Sequence, residues 1–276
     1  MKIFLTGGTG FIGAHFINQA HAAGHKIIVI KRKNSIPRIP LIIEPKWVEC
    51  SLDDDARAFL KGVDVFVHLA THTASMPYDD FKNCLYWNVY ASIKLAQQAN
   101  EVGVKNFLIA GTCYEYGRSA DEYKFIPVSA TLKPISAYPA SKAAASIAFE
   151  AFGIDQNVKV KILRIFQVFG EGDDPARLWQ SLRIAAMNGK DFSMTLGEQI
   201  RDFISVEDVA KKFVEELNFI DIKLNQPLIR NIGSGKERSI RDFASYWWKY
   251  WKASGKIRFG AISYRDNEIM RLVPDL

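Results

Sequence analysis

The sequence has few cysteines and no long apolar segment, and each shortage excludes a class of protein. Its three cysteines, Cys50, Cys84 and Cys113, are far apart, and no two of them form a C-x-x-C pair. This pattern argues against a disulfide framework and against a zinc site. No apolar run approaches the roughly 18 residues of a membrane-spanning helix. The N-terminal MKIFLTGG is too short for a signal peptide, so we expect a cytoplasmic protein that does not contact a membrane.

The basic side chains are not concentrated on any one element. Lys and Arg total 36 against 30 Asp and Glu, and the resulting net charge of +6 suits anionic small molecules. A nucleic-acid-binding protein would be expected to carry a basic helix or an RNA-binding signature. The sequence shows neither, so we expect no nucleic-acid partner.

Strand-like and helix-like segments alternate through the first two-thirds of the chain. Short apolar runs predict strands at residues 2–5, 26–30, 46–48, 63–69, 106–110 and 158–165. Helical patterns lie between them, near residues 11–23, 53–60, 81–101 and 138–152. Such alternation predicts βαβ crossovers and a parallel sheet covered on both faces, which is a doubly wound α/β fold.

The alternation ends after Phe169, where GEGDDP predicts a loop. The later segments predict helices and strands at residues 176–188, 200–205, 206–217, 228–232 and 240–251. We therefore expect a large domain over residues 1–168 and a smaller α/β lobe over residues 169–276, with a cleft between them. Some segments beyond residue 168 could return to the first domain.

Three glycines separate the first predicted strand from the first predicted helix. Gly7, Gly10 and Gly13 form G-x-x-G-x-x-G within TGGTGFIG. Glycines at this spacing allow a tight turn, a close backbone approach to a pyrophosphate and close packing of helix on sheet, while the helix N-terminus attracts the anion. A tight turn without a ligand is the alternative. The flanking strand and helix and the N-terminal position favour a bound dinucleotide, so residues 1–168 are predicted to bind NAD(P).

The residues after the second strand bear on which dinucleotide binds. An acidic residue there favours NAD, whereas a basic residue accommodates the 2′-phosphate of NADP. The chain has Lys31, Arg32 and Lys33 and no acid at this place. A solvated cationic loop is the alternative. We predict NADP(H), contacted by Lys31 and Arg32, with NAD as the alternative cofactor.

Tyr138 and Lys142 lie four residues apart at the start of a predicted helix, which places them on one face. An ammonium group near a phenol lowers the pKa of the phenol, so that it can exchange a proton with a substrate oxygen. The Y-x-x-x-K pattern also occurs by chance in many helices. Thr112 ends an earlier strand, and its hydroxyl could orient the same substrate oxygen or merely cap the local backbone.

These motifs and several others, in the same order, resemble the extended short-chain dehydrogenase/reductases of the NAD-dependent epimerase/dehydratase family, which have a Rossmann-type fold. The resemblance covers nearly the whole chain and includes TGGTGFIG, VHLA, WNVYAS, GTCYEYG, YPASK, LRIFQVFGEG, RDFISVEDVA and NIGSG. It implies that Thr112, Tyr138 and Lys142 are the catalytic set. Tyr138 would be the proton donor or base, and Lys142 would also bind the nicotinamide ribose.

The resemblance implies further contacts to the cofactor. Phe11 and Ile12 would cover the pyrophosphate, and Ser51 and Leu52 would lie on the adenine side. Leu69, Ala70 and Thr71 would line the groove, and Asn88 would lie on the nicotinamide side. Ser51 stands where the family usually has an Asp beside the adenine, which weakens that contact. For the substrate, the resemblance implies Arg201 at the nucleotide end and Arg265 at the diphosphate. Exposed surface positions are the alternative for both arginines.

Cys113 and Gln167 are the remaining predicted substrate contacts, and both depart from common family patterns. The 4,6-dehydratases resemble one another in placing Asp-Glu after the active Thr, where this chain has Cys113 and Tyr114. Glu115, on an extended segment, would face away from Tyr114. Dehydration of the substrate therefore lacks an acid/base pair. Gln167 replaces the Asn of the usual LRxFN.

The Cys–Tyr pair and the tail YRDNEIMRLVPD resemble bacterial reductases of CDP- or dTDP-linked 4-keto-6-deoxy sugars, which supply surface polysaccharides or glycosylated metabolites. We expect an NADPH-dependent nucleotide-sugar 4-ketoreductase. A 4-epimerase with retained NAD and a non-catalytic dinucleotide sensor are the alternatives. The family also implies a homodimer through the helices at 81–101 and 138–152, with Leu85, Val89, Ala144 and Phe149 among their apolar residues.

Overall fold

Seven parallel strands form one central sheet in the computed structural model, which describes residues 1–220 and 222–276. The strands are β1 (Lys2–Thr6), β2 (Lys26–Lys31), β3 (Lys46–Glu49), β4 (Val65–His68), β5 (Asn106–Thr112), β6 (Lys159–Ile165) and β10 (Leu228–Ile232). Their order across the sheet is β10-β6-β5-β4-β1-β2-β3. The chain reverses its direction across the sheet between β1 and β4. In open α/β sheets, ligands bind beyond the carboxyl ends of the strands at such a switch point.

Helices cover both faces of this sheet because successive side chains of a strand point to opposite sides. Ile3 and Leu5 of β1 belong to the apolar core on one face, together with Phe16 and Phe213 from the helices on that face. Phe4 belongs to the core on the other face. The doubly wound, Rossmann-type sheet predicted from the alternating segments is thus confirmed.

The helices follow the predicted pattern, except that one is shorter than predicted and another is interrupted by a π-helical turn. They are α1 (Phe11–Ala22), α2 (Arg57–Leu60), α3 (Phe81–Leu85), α4 (Ser92–Glu101), α5 (Ala137–Asp155), α6 (Leu178–Met187), α7 (Val206–Glu215) and α8 (Ile240–Tyr250). A π-helical turn, Tyr86–Ala91, joins α3 to α4. The helix predicted at 53–60 is shorter because local side chains compete for its backbone: Asp54 accepts from the Ser51 N–H and Asp55 from the Arg57 N–H.

Short strands and aromatic side chains build the smaller lobe. The strands are β7 (Gln167–Phe169), β8 (Phe192–Met194), β9 (Ile200–Ser205), β11 (Glu237–Ser239), β12 (Ile257–Phe259) and β13 (Arg271–Leu272). β9 pairs with β7, β11 and β13, and β12 pairs with β8. The rings of Phe203 and Phe243 stack with centroids 3.7 Å apart. Two later elements lie on the central sheet instead, because β10 pairs with β6 and α7 packs on α1.

The helices α3, α4 and α5 pack side by side and leave apolar side chains exposed. Phe81 is 56% exposed and Ile147 is 59% exposed, and Leu85 is also exposed. Val89 and Ala144 are half-buried. Phe149 is wrongly placed on this surface by the sequence pattern: it is fully buried in the core beside His68.

No helix within the described ranges is long and apolar enough to cross a membrane. Within the same ranges, no group of three or more His, Cys, Asp or Glu side chains is arranged to hold a metal ion.

Candidate active site

The glycine motif forms the turn between β1 and α1. Gly7 has a φ of +74°, and its carbonyl oxygen accepts from the Gly10 N–H at 2.9 Å. A Cβ on Gly13 would lie 2.1 Å from the Gly7 oxygen, so only glycine lets α1 start this close to the strand. Gly10 caps α1 without a side chain, and a Cβ there would meet only the Gly7 oxygen, at 3.1 Å. The backbone at Gly10 can therefore be approached closely, and the N–H groups at the start of α1 fit the pyrophosphate of a dinucleotide.

The end of β4 lies against this turn, as the sheet order requires. A Cβ on Gly7 would lie 2.5 Å from the Ala70 nitrogen, so a side chain at Gly7 would separate the two strand ends. The Thr6 hydroxyl joins them further, because it contacts His68 Nδ1 at 2.8 Å and accepts from the Ala70 N–H at 3.1 Å. Burial lowers the pKa of His68 to about 3, so this histidine is neutral. The predicted groove residues 69–71 thus lie beside the glycine turn.

Asn88 lies in the π-helical turn and connects the β4 end to α5. Its Oδ1 accepts from the His72 N–H at 2.7 Å and from the Thr71 hydroxyl at 3.3 Å. Its Nδ2 donates to the Ser141 hydroxyl at 2.9 Å. Asn88 therefore fixes the loop after β4 relative to the helix that carries Tyr138.

The structure places the predicted catalytic residues in buried positions at the carboxyl edge of the sheet. Thr112 ends β5, and Tyr138 and Lys142 lie in the first turns of α5. Their exposed fractions are 7%, 6% and 5%, in that order. Lys142 Nζ donates to the Ala110 oxygen of β5 at 2.8 Å, which holds the lysine close to Thr112. The Thr112 hydroxyl accepts from the Tyr114 N–H at 3.4 Å, so it also caps the local backbone.

Burial sets the protonation state of this site. It raises the pKa of Tyr138 to about 12, although the Arg177 guanidinium opposes this rise. The expected lowering of the Tyr138 pKa is therefore wrong in direction, since desolvation outweighs the nearby positive charge. Burial also lowers the pKa of Lys142, with Glu115 opposing. At neutral pH, Tyr138 is a protonated phenol that can donate a proton.

A buried carboxylate lies beneath the catalytic residues. Glu115 is fully buried, and it accepts from the Thr112 N–H at 2.8 Å, the Ser146 hydroxyl at 2.8 Å and Arg164 Nε at 2.9 Å. Residues Cys113–Tyr116 form a 3-10 turn rather than the extended segment we expected. The turn forms because Thr112 and Glu115 make a capping box, in which each side chain bonds the other's backbone.

Of the predicted substrate contacts, Cys113 begins this turn, and Gln167 of β7 is bonded to it through Tyr114. Tyr114 donates from its hydroxyl to Gln167 Oε1 at 3.0 Å. Cys113 is buried, which raises the pKa of its thiol to about 12 and keeps it neutral. The segment after Thr112 therefore presents neutral groups, and the carboxylate of Glu115 is held in an ion pair.

The two predicted substrate arginines differ in their surroundings. Arg201 is buried, and its Nη2 donates to the Ile269 oxygen at 2.6 Å and to Glu268 at 3.1 Å. Arg265 is exposed, and its Nη1 lies 3.4 Å from the Met76 sulfur. The surface alternative thus does not describe Arg201.

The residues predicted beside adenine and the 2′-phosphate lie at the ends of β2 and β3. Arg32 is exposed. Lys31 Nζ lies 5.5 Å from the centre of the Trp47 ring and donates to the Ser35 oxygen at 3.3 Å. Ser51 donates from its hydroxyl to Asp53 at 2.6 Å, and Leu52 beside it is half-buried.

Sequence analysis missed Arg177, which lies just before α6. It donates to the Ala74 oxygen at 2.9 Å and pairs with Asp173 at 3.7 Å, so it joins the smaller lobe to the loop after β4. The only sequence signal is one basic residue after the acidic GEGDDP loop, and the chain has many isolated arginines.

Comparisons with known proteins agree with this geometry. A family model described as "NAD dependent epimerase/dehydratase family" matches residues 3–233. CDP-abequose synthase of Salmonella muenchen is 25% identical over 280 residues, which cover 98% of this chain and 87% of that protein.

Two solved structures match the whole chain. TunA, an NAD-dependent NDP-hexosamine 5,6-dehydratase of tunicamycin biosynthesis, has a TM-score of 0.85 and 30% identity, with 89% of its chain covered. The UDP-N-acetylglucosamine 4-epimerase of Methanobrevibacter ruminantium has a TM-score of 0.89 and 24% identity, also with 89% covered. The latter likeness concerns the fold alone.

We predict that Glu115→Gln destabilises the protein strongly, because it leaves the Arg164 guanidinium buried without a counter-charge. Breaking a buried pair in this way costs about 3–5 kcal/mol. Urea denaturation measures the loss in free energy of unfolding. The matched control is Asp191→Asn, which breaks the exposed pair with Arg258 and should change stability little. Equal effects of the two substitutions would contradict a structural role for the buried pair.

Proposed function

This chain belongs to the NAD-dependent epimerase/dehydratase family, and we propose that it reduces the C4 ketone of a nucleotide-linked 4-keto-6-deoxyhexose. When bound, NADPH supplies the hydride to C4. Tyr138 protonates the carbonyl oxygen, Thr112 orients that oxygen, and Lys142 binds the nicotinamide ribose. The observation that carries this proposal is the burial of Thr112, Tyr138 and Lys142 at the carboxyl edge of the sheet. A phenol at this place can give its proton to the C4 oxygen during reduction.

One further observation favours reduction over dehydration. Cys113 and Tyr114 are neutral groups after Thr112, and Glu115 is paired with Arg164. Dehydration would require a carboxylate that can exchange protons with the sugar.

A 4-epimerase with retained NAD is the second candidate. It would use the same three residues, and a 4-epimerase shares the fold over the full length of this chain. Such an enzyme recycles its nicotinamide within one turnover and gains nothing from selecting the phosphorylated cofactor. Cofactor preference therefore helps to discriminate between the two.

We also propose a homodimer formed by the exposed apolar face of α3, α4 and α5. Large exposed apolar patches mark interaction sites, and the same face of a second copy would cover Leu85 and Ile147. We expect analytical ultracentrifugation at micromolar concentration to give a dimer and Ile147→Glu to give a folded monomer. Wild-type protein that sediments as a monomer would contradict the dimer.

We predict that the protein binds NADPH at least tenfold more tightly than NADH and that Arg32→Ala removes most of this preference. A hydrogen bond to a charged group contributes about 1.5–3 kcal/mol, which corresponds to roughly 10- to 100-fold in affinity. Fluorescence titration gives both dissociation constants. Lys190→Ala, which removes an exposed cation after α6, is the control and should keep the preference. Equal affinities in the wild type would contradict NADP specificity.

We predict that Tyr138→Phe lowers kcat for NADPH-dependent reduction by roughly 100- to 10,000-fold, the usual contribution of general acid catalysis. Affinity for NADPH should stay within about twofold, since the substitution removes only the hydroxyl. Steady-state kinetics with a CDP- or dTDP-4-keto-6-deoxyhexose measure kcat. Tyr250→Phe, the same change at an exposed position on α8, serves as the control. An almost fully active Tyr138→Phe protein would remove Tyr138 from the mechanism.

A further inference from the structure

A second tyrosine packs against Tyr138. The ring centroids of Tyr78 and Tyr138 lie 5.2 Å apart, with 35° between the ring planes. Tyr78 is half-buried and Tyr138 is buried, so Tyr78 covers Tyr138 on one side. Sequence analysis gave Tyr78 no role, because it lies in the irregular loop between β4 and α3.

The smaller lobe holds the loop that carries Tyr78. Arg177 donates to the Ala74 oxygen at 2.9 Å and to the Ser75 hydroxyl at 3.3 Å. The two ends of the loop are joined by His72 Nε2 and Asp79 Oδ2, 2.7 Å apart. Tyr78 therefore lies on a loop that Arg177, just before α6, holds in place.

Arg265, which the resemblance places at the diphosphate, contacts the loop that carries Tyr78: its Nη1 lies 3.4 Å from the Met76 sulfur. Burial raises the pKa of the Tyr78 hydroxyl. The neighbouring Tyr114 and Tyr138 raise the same pKa further, whereas Arg177 and Arg265 oppose the rise. Within residues 1–220 and 222–276, the hydrogen bonds of this loop use other side chains and backbone groups, and the Tyr78 hydroxyl takes part in none. The hydroxyl is therefore available to a ligand.

We infer that Tyr78 is a specificity-determining residue that contacts the hexosyl ring of a nucleotide sugar. In a hexosyl diphosphate, the phosphate is attached at C1 and the reacting carbon is C4. The sugar ring would therefore extend from Arg265, the predicted diphosphate contact, to Tyr138. Tyr78 packs against Tyr138, and Arg265 contacts the Tyr78 loop at Met76. Its ring can cover an apolar C–H face of the sugar, and its hydroxyl can bond a sugar hydroxyl. This inference rests on the proposed nucleotide-sugar site.

The test compares ligands with and without the sugar. Calorimetry on the full chain first gives the dissociation constants of CDP, UDP and dTDP and of the corresponding nucleoside diphosphate glucoses. The variants are then compared with the nucleotide that the wild type binds most tightly. Tyr78→Phe should weaken binding of the glucose conjugate by about three- to tenfold, the value of one neutral hydrogen bond, with the diphosphate alone unchanged within about twofold. Tyr78→Ala should weaken it further because the ring contact is lost as well.

The control is Tyr250→Phe, which should leave both affinities unchanged. Equal weakening of the glucose conjugate and the diphosphate would overturn the inference, because it would mean that Tyr78 acts through the loop or the phosphate. No change with either ligand would overturn it as well. The glucose conjugates carry a hydroxyl at C4 and are not reduced, so the binding result for Tyr78 is independent of the reductase proposal. Failure of the reductase proposal would appear instead as absent NADPH oxidation with a 4-keto sugar.

Discussion

The carboxylate of Glu115 adds buried polar contacts among three elements that meet at the site: β5, β6 and α5. It accepts from the backbone of Thr112 at the end of β5, from Ser146 on α5 and from Arg164 on β6. Ser146 lies one helical turn after Lys142, so the same carboxylate fixes the threonine and the helix that carries the tyrosine and lysine. A charge this deeply buried persists only when it is paired and hydrogen-bonded. The pair therefore helps to fix the relative placement of the predicted catalytic side chains.

The chemistry follows from the same burial. A desolvated phenol keeps its proton, and Tyr138 with a pKa of about 12 is an acid at physiological pH. Bound cofactor and substrate would bring further charges to this site. The neutral Cys113 and Tyr114 stand where elimination of water would need an acid/base pair.

Local sequence signals predicted the fold and the centre of the site because both depend on short-range patterns. The glycine turn, the buried strands and the spacing of Tyr138 and Lys142 can be read from neighbouring residues. The two- and three-residue strands of the smaller lobe have too few residues to show alternation. Tyr78 and Arg177 lie in irregular segments, and only the packing of the two lobes brings them to the site. Phe149 has the same apolar character as an interface residue, and only the tertiary structure shows that it belongs to the core.

The most direct test of the central claim follows the origin of the hydrogen at C4 of the product. The protein is incubated with NADPH that carries deuterium at the transferable position and with a nucleotide-linked 4-keto-6-deoxyhexose, and the product is analysed by mass spectrometry. The account predicts one deuterium at C4 for each NADPH consumed. Protein that is isolated with tightly bound NAD, interconverts 4-hydroxy sugars and incorporates no deuterium would contradict it and identify an epimerase.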